Sequence, residues 1–331
     1  MRLLDVRDLS VSFDTADGVV RAVRGVSFGL DAGRTLGVVG ESGSGKSVTA
    51  MTLLGLTRGA TVHGSALFGD DDLLSMDEPA LRAVRGDRIA MVFQDPLSSL
   101  HPMYRVGWQI SETIRAHTAT GRRAAHERAI DLLGMVGIAQ PRQRVDDYPH
   151  QFSGGMRQRV MIAMALALNP ELVIADEPTT ALDATVQAQI LDLLRRLQRE
   201  LGMGLIIITH DLGVVAQMAD QVLVMYAGRA VETADRRTAY YRPHHPYTRG
   251  LLGSVPSARR GGRLHPIPGT PPSLIRLPSG CPFRPRCAYA MPRCVTEEPP
   301  LLPVLGGIGH RSACWLPPGA IGSDRAGETA A

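Results

Sequence analysis

Eight consecutive residues, Gly40, Glu41, Ser42, Gly43, Ser44, Gly45, Lys46 and Ser47, fit G-x-x-x-x-G-K-[ST], the spacing of a phosphate-cradling loop. Glycines let the backbone bend so that successive N–H groups point inward at anionic oxygens. Lys46 can then reach the β- and γ-phosphates of a nucleotide, and the Ser47 hydroxyl can hold Mg²⁺. The flanks agree. The apolar run 35–39 reads as a buried strand leading in. Residues 48–56, beginning at Val48, read as a helix leading out, whose N-terminal partial positive charge favours an anion. Lys46 is the only lysine in the chain; every other Lys/Arg position is arginine. A flexible point charge suits a phosphate nest better than a planar fork.

Three further places carry chemistry. The apolar run 172–175 ends on Asp176-Glu177-Pro178. Two adjacent carboxylates at a strand end are costly without a cation or a proton to handle. Asp176 suits the surroundings of Mg²⁺, and Glu177 suits polarising an attacking water. Residues 88–93 read as a strand ending at Gln94-Asp95-Pro96, which puts a polar amide at a sheet edge, where α/β proteins bind ligands. Ser153-Gly154-Gly155 opens an apolar helix, with Ser153 as N-cap and two glycines that allow close approach to an anion. His210 ends another apolar run, 205–208, where it can sense a γ-phosphate; a histidine in that setting can equally be structural.

The elements that must place these residues alternate strand and helix. Residues 2–13 and 19–30 read as strands joined by a turn at 15–18, with Phe13 the aromatic that closes the first; 62–68 follows as a strand and 79–84 as a helix. Residues 106–137 are helical in pattern with a break near Gly121, and 184–201 is an amphipathic helix ending at Gly202. Strands at 221–226 and 229–233 are expected to complete the sheet. The 331 residues allow about two domains. Hydrophobic content of 44% and charged content of 21% suit a globular chain. The longest apolar stretch, 160–168, is too short to span a bilayer, and acids near the N-terminus argue against a signal peptide. The protein is expected in the cytosol unless a partner holds it at a membrane. Beyond residue 235 the texture changes: 16 of the 23 prolines and all four cysteines lie there, with 13 Arg against 4 Asp and Glu. Regular structure is expected to be sparse, with one helix near 246–252. Such a basic tail can face nucleic acid, anionic lipid or an acidic partner, or simply keep a proline-rich surface soluble.

The order of these elements resembles an ATP-binding cassette ATPase over roughly residues 1–235. The resemblance implies an α/β P-loop fold with a mixed sheet and a helical subdomain near 97–170. It makes residues 40–47 the Walker A loop and Gln94 the Q-loop residue that touches Mg²⁺ and the membrane subunit. Ser153-Gly154-Gly155-Met156 becomes the signature motif, with Met156 in place of the family's usual glutamine. Asp176 and Glu177 become Walker B and the catalytic glutamate, Ala181-Leu182-Asp183 the D-loop, and His210 the switch histidine. Phe13 falls where the family stacks an aromatic on adenine. Pro243-His244-His245-Pro246-Tyr247-Thr248 and the cysteines after it resemble the dipeptide/oligopeptide importer ATPases, a branch that includes nickel importers. That implies a peripheral ATPase on the cytoplasmic face of the membrane. It would work under two permeases, beside a second ATPase subunit, served by an extracytoplasmic solute-binding protein, with ATP and Mg²⁺ as cofactors and no nucleic acid as partner. Cargo is not encoded here, because permeases and binding protein choose it.

Cys281, Cys287, Cys294 and Cys314 are spaced C-x5-C-x6-C-x19-C. Zn²⁺, an iron–sulfur cluster and inert thiols all remain open from the residues, and the lack of a C-x-x-C pair weakens zinc. The resemblance favours a [4Fe-4S] cluster, since some members of the branch carry one at matching cysteines. Two rival functions fit parts of the pattern: a soluble cassette acting on nucleic acid or the ribosome, and a non-hydrolysing regulatory subunit. One cassette without long heptads argues against the first, and intact Glu177 and His210 against the second.

Overall fold

The computed structural model describes residues 1–180, 182–254, 266–305 and 309–320. The chain opens with β1 (Arg2–Thr15), β2 (Gly18–Asp31), β3 (Thr35–Val39), α1 (Lys46–Leu53), β4 (Ala60–Phe68), β5 (Asp71–Asp72), α2 (Glu78–Val84) and β6 (Ile89–Val92). A helical stretch follows: α3 (Pro96–Ser99), α4 (Val106–His117), α5 (Arg122–Met135), α6 (Pro141–Arg144) and α7 (Gly154–Ala165). The α/β alternation resumes with β7 (Leu172–Asp176), α8 (Ala184–Leu201), β8 (Gly204–Thr209), α9 (Leu212–Met218), β9 (Gln221–Tyr226) and β10 (Arg229–Asp235). The tail holds α10 (Arg236–Tyr241), α11 (Pro246–Gly253), α12 (Arg293–Thr296), β11 (Leu302–Pro303) and β12 (Arg311–Ser312).

Among the described residues these strands form two sheets. One is antiparallel, in the order β2-β1-β4-β5; the other is mixed, β11-β12-β10-β9-β3-β8-β7-β6. The middle of the mixed sheet is parallel. In β3, Val39 sits opposite Thr209 of β8 and Val224 of β9, while in β7 Asp176 sits opposite Ile208 of β8. β3 and β7 are buried at every position, as expected for strands covered on both faces. The carboxyl ends of β3, β7 and β8 therefore lie side by side, and the three acid, lysine and histidine motifs emerge there.

The expected helices form, with their signals in place. Asp183 caps α8 by accepting from the Thr185 and Val186 N–H groups at 3.0 Å, and Gly202 ends it with φ 64°. The region 106–137 splits into α4 and α5, with the break at 118–121. Ser153 caps α7, its hydroxyl accepting from the Met156 N–H at 3.3 Å.

The tail departs from expectation. β9 and β10 do not complete the sheet. β12 pairs with β10, Ser312 opposite Glu232, and β11 pairs with β12. These two-residue strands are too short to leave a periodic signal. Nor is the tail without a core. Buried Tyr226, Tyr247 and Phe283 meet with ring centroids 4.6 to 5.4 Å apart, within one apolar cluster that also holds β9 and α9 residues. The anchor is Glu232, fully buried on β10. Its carboxylate accepts from the His244 and His245 backbone N–H groups at 2.6 and 3.0 Å and pairs with His310 Nε2 at 2.6 Å. Burial alone would raise the pKa of Glu232; hydrogen bonds from the His310 ring and the His244 backbone N–H hold it below the ordinary carboxylate value. Burial pushes His245 down to about 4, so its ring stays neutral.

Both groups have pKa values below those of the unfolded chain, so both stabilise the fold above the unfolded values and lose that contribution as pH falls. The expected outcome is a loss of up to about 3 kcal/mol from His245 between pH 6.5 and 4. Urea unfolding at pH 7 and pH 4.5, followed through tail fluorescence, checks it; equal midpoints at the two pH values would contradict the assignment.

Candidate active site

The phosphate loop needs its glycines. Gly45 has φ 99°, and a Cβ there would lie 2.4 Å from the Ala22 carbonyl oxygen. A Cβ on Gly40 would lie 2.2 Å from the carbonyl oxygen of Met225. Ser42 and Gly43 are exposed at the rim, while Ser44, Gly45 and Lys46 are buried beneath it. Lys46 Nζ donates to the carbonyls of Gly40 and Glu41 at 2.7 and 2.9 Å and lies 3.5 Å from Ser44 Oγ. Burial lowers its pKa, opposed by the charges of Glu177, Asp176 and Glu41. Val48, in the first turn of α1, is half-buried against the core under the antiparallel sheet, and Phe13 at the end of β1 packs on the same core.

Two ends meet across the strand tops. Ser47 Oγ donates to Asp176 Oδ1 at 3.0 Å. Burial raises the pKa of Asp176, the Ser47 hydrogen bond and Lys46 oppose the shift, and Glu177 adds to it. A hydroxyl beside a carboxylate is an oxygen donor set suited to Mg²⁺. A magnesium phosphate would bring a cation to Asp176 and Ser47 and an anion to Lys46.

Glu177 is the second meeting point. Its backbone is left-handed, with φ 46°, and its N–H donates to the Ile208 carbonyl at 2.8 Å. Its carboxylate accepts from Gln94 Nε2 at 3.1 Å and Thr180 Oγ1 at 2.8 Å, and lies 3.3 Å from His210 Nδ1. The sequence-based set Gln94, Glu177 and His210 is thus brought together in one cluster. Ser153, Gly154 and Gly155 are placed elsewhere. Their helix α7 packs on α3, α4, α5, α8 and β6, whereas α1 packs on β1, β2 and β7. A Cβ on Gly155 would lie 2.5 Å from Val186, so that glycine permits the close approach of α7 and α8. Of the D-loop, Ala181 lies outside the described residues, while Leu182 is half-buried and Asp183 caps α8.

Sequence reasoning missed three contributors. Thr180 braces Glu177, a role that the Thr179-Thr180 pair after Pro178 could have suggested. Tyr247 and Arg286 reach Glu41 from the tail, across 206 and 245 residues, and no local pattern carries such a contact.

The four cysteines form no disulfide and line one small apolar cavity with Phe283, Met291 and Trp315. Burial raises the thiol pKa values of Cys281 and Cys287, and that of Cys314 to about 11. Among the described residues, no group of three or more His, Cys, Asp or Glu side chains is arranged to hold a metal ion.

With this geometry in hand, comparison with known proteins decides the family. Residues 23–180 match the ABC transporter family, and residues 231–294 match the oligopeptide/dipeptide transporter C-terminal region. The oligopeptide transport ATP-binding protein OppD of Bacillus subtilis is 53% identical, over 95% of this chain and 89% of that protein. This chain is an ABC transporter ATPase. OppD of Salmonella typhimurium is 51% identical over 95% of this chain and 94% of its own length, and the dipeptide transport ATP-binding protein DppD of Bacillus subtilis 48% over 95% of each. Among solved structures, the dimeric bacterial ABC transporter cassette MJ0796 overlays with a TM-score of 0.64 at 27% identity, covering 71% of this chain and 99% of its own. The fold of this ABC ATPase is therefore the P-loop α/β fold with a mixed sheet.

Gly45→Ala tests the loop. The added methyl must enter a left-handed backbone and meet the Ala22 carbonyl. MgATP affinity is expected to fall at least about tenfold while far-UV dichroism stays unchanged; calorimetric titration checks it.

Proposed function

We propose that this ATPase drives a peptide importer of the membrane. The observation that carries the reading is similarity of about half of all positions to oligopeptide and dipeptide transport ATP-binding proteins, running through the tail as well as the cassette. Two permeases, a second ATPase subunit and an extracytoplasmic solute-binding protein complete the assembly, with this chain on the cytoplasmic face. In this reading the permeases hold the chain at the membrane; among the described residues no helix is long and apolar enough to cross one. An exposed apolar group just after Gln94 supports that docking: Leu97, Met103, Tyr104 and Trp108 are 63, 75, 45 and 47% exposed. Nickel or another small solute is the alternative cargo of the same assembly. Residues 1–235 form the nucleotide-binding unit, with the helical subdomain at 97–170, and 236–331 its extension.

The site residues take these roles. Gly40, Glu41, Ser42, Gly43, Ser44, Gly45, Lys46, Ser47 and Val48 surround the phosphates, and Phe13 stacks on the base. Ser47, Asp176 and Gln94 serve Mg²⁺. Glu177 polarises the attacking water, and His210 orients it against the γ-phosphate. Support for Glu177 is its carboxylate, fixed by Gln94, Thr180 and His210 rather than paired with an arginine. Ser153, Gly154 and Gly155 serve the nucleotide of the second ATPase subunit. Their separation from the phosphate loop supports a sandwich between two subunits, and the MJ0796 cassette is a dimer. Closing that sandwich is the working stroke, because the γ-phosphate supplies contacts that ADP lacks.

Cys281, Cys287, Cys294 and Cys314 hold a [4Fe-4S] cluster in this reading, with Zn²⁺ the alternative. The four cysteines lining one small apolar cavity support this reading. Bound there, the cluster would cross-link a proline-rich segment.

Glu177→Gln is expected to bind ATP as wild type does and to lose at least about a hundredfold in turnover of the assembled transporter; ATPase near wild type would overturn the assignment. Anaerobically purified protein is expected to absorb at about 400 nm, whereas colourless protein with stoichiometric zinc would overturn the cluster.

A further inference from the structure

Glu41 is the second residue of the phosphate loop, and all three of its polar groups are engaged. Its carbonyl accepts from Lys46 Nζ at 2.9 Å. Its N–H donates to the hydroxyl of Tyr247 at 2.7 Å, and its carboxylate takes a two-pronged pair from Arg286 at 2.5 and 2.8 Å. Two of these three partners belong to the tail. Both are buried: Tyr247 is 0% exposed and the Arg286 side chain 4%.

The tail fixes these two side chains firmly. Arg286 Nε donates to the Pro268 carbonyl at 2.8 Å, and its guanidinium lies 6.0 Å from the Phe283 ring. Arg286 closes the helical turn Arg284–Arg286, which is bounded by Cys281 and Cys287: Arg284 N–H donates to the Cys281 carbonyl at 3.0 Å, and Cys287 N–H to the Arg284 carbonyl at 3.2 Å. Tyr247 lies in α11, where His245 Nδ1 accepts from its backbone N–H at 3.1 Å. The cysteine-lined lobe and the phosphate loop are thus joined by two short, buried, directional contacts at one residue.

These contacts are not needed merely to attach the tail. β12 already pairs with β10, Glu232 already binds the histidine segment, and Glu298 already bridges Arg24 and Arg229 at 2.8 and 3.1 Å. What the Glu41 contacts add is a fixed peptide at the mouth of a glycine-rich loop. Ordering such a loop at the moment of binding costs conformational entropy, and ordering it beforehand removes that cost. The fixed peptide also supplies one of the two carbonyls that Lys46 uses.

We propose that Arg286 and Tyr247 are positioning residues for the phosphate loop, through which the cysteine-lined lobe sets the nucleotide affinity of the cassette. The inference rests on residues 40–47 being the nucleotide loop and deepens that reading with a regulatory input. By linkage, anything that reshapes the turn Arg284–Arg286, loading of the cysteines included, changes nucleotide binding by the same factor that nucleotide changes it.

The test is calorimetric titration of MgATP into the full-length chain, with melting temperature measured on the same samples. Arg286→Met is expected to weaken binding about tenfold, or about 1.4 kcal/mol, Tyr247→Phe about threefold, and Arg286→Lys by an intermediate factor because one ammonium cannot make a two-pronged pair. Glu298→Gln loosens the lobe without touching Glu41; it should lower the melting temperature and leave affinity within about twofold. Affinity unchanged in both Arg286→Met and Tyr247→Phe would overturn the proposal. So would an equal loss in Glu298→Gln, which would make the effect one of attachment alone. If Arg286→Met does not fold, Tyr247→Phe, which deletes a single oxygen, decides. A wild-type chain that takes up no MgATP would remove the premise and the proposal with it.

Discussion

One buried ammonium sets the terms for this molecule. Lys46 lies 5% exposed among backbone carbonyls, with the carboxylates of Asp176 and Glu177 near enough to oppose the effect of burial on its charge. A charge taken out of water is tolerated only where fixed dipoles and counter-charges replace the solvent. The parallel strands supply that replacement. They deliver the phosphate loop, the acid pair and the histidine to one rim, and each strand is sealed on both faces so that water reaches only the tips. Charges held in this way are gathered before a polyanion and its cation arrive.

The same rim gathers one set of the site residues and leaves the other apart. Glu177 bends into a left-handed backbone that brings its carboxylate to Gln94, Thr180 and His210, at a strain cost that neighbouring contacts must hold. The serine and glycines at the start of α7 sit on a different part of the framework, packed on the helical stretch. Under the proposed sandwich, a reaction that needs both sets draws the second from another subunit.

Most of the rim was legible in the sequence, because each motif there is local. A glycine-rich loop and an acid pair declare themselves within a few neighbours. The bounds of α8 were legible from its amphipathic pattern and glycine stop, while its aspartate cap emerged only in the structure. Of the tail, only helix α11 was legible. β11 and β12 are two residues each, and Glu232 looks like any strand glutamate until the histidine backbone folds onto it. Arg286 and Glu41 stand 245 positions apart, and thirteen arginines in the tail give no means of choosing one. Proline richness signals sparse regular structure and nothing about packing. Here it accompanies a small aromatic core shared with the sheet, since proline removes backbone donors without preventing side chains from meeting.

The short strands of the tail also have a bearing on solubility. β10 runs seven residues and, without β12, would present a bare flank of unpaired amides and carbonyls. Such flanks recruit one another edge to edge and seed self-association. β12 covers part of that flank, and β11 then ends the ladder after two residues, one of them Pro303, which cannot donate to a further strand. The extension therefore acts as a terminator for the sheet as well as a lobe upon it, and a cassette trimmed at residue 235 would lose that terminator.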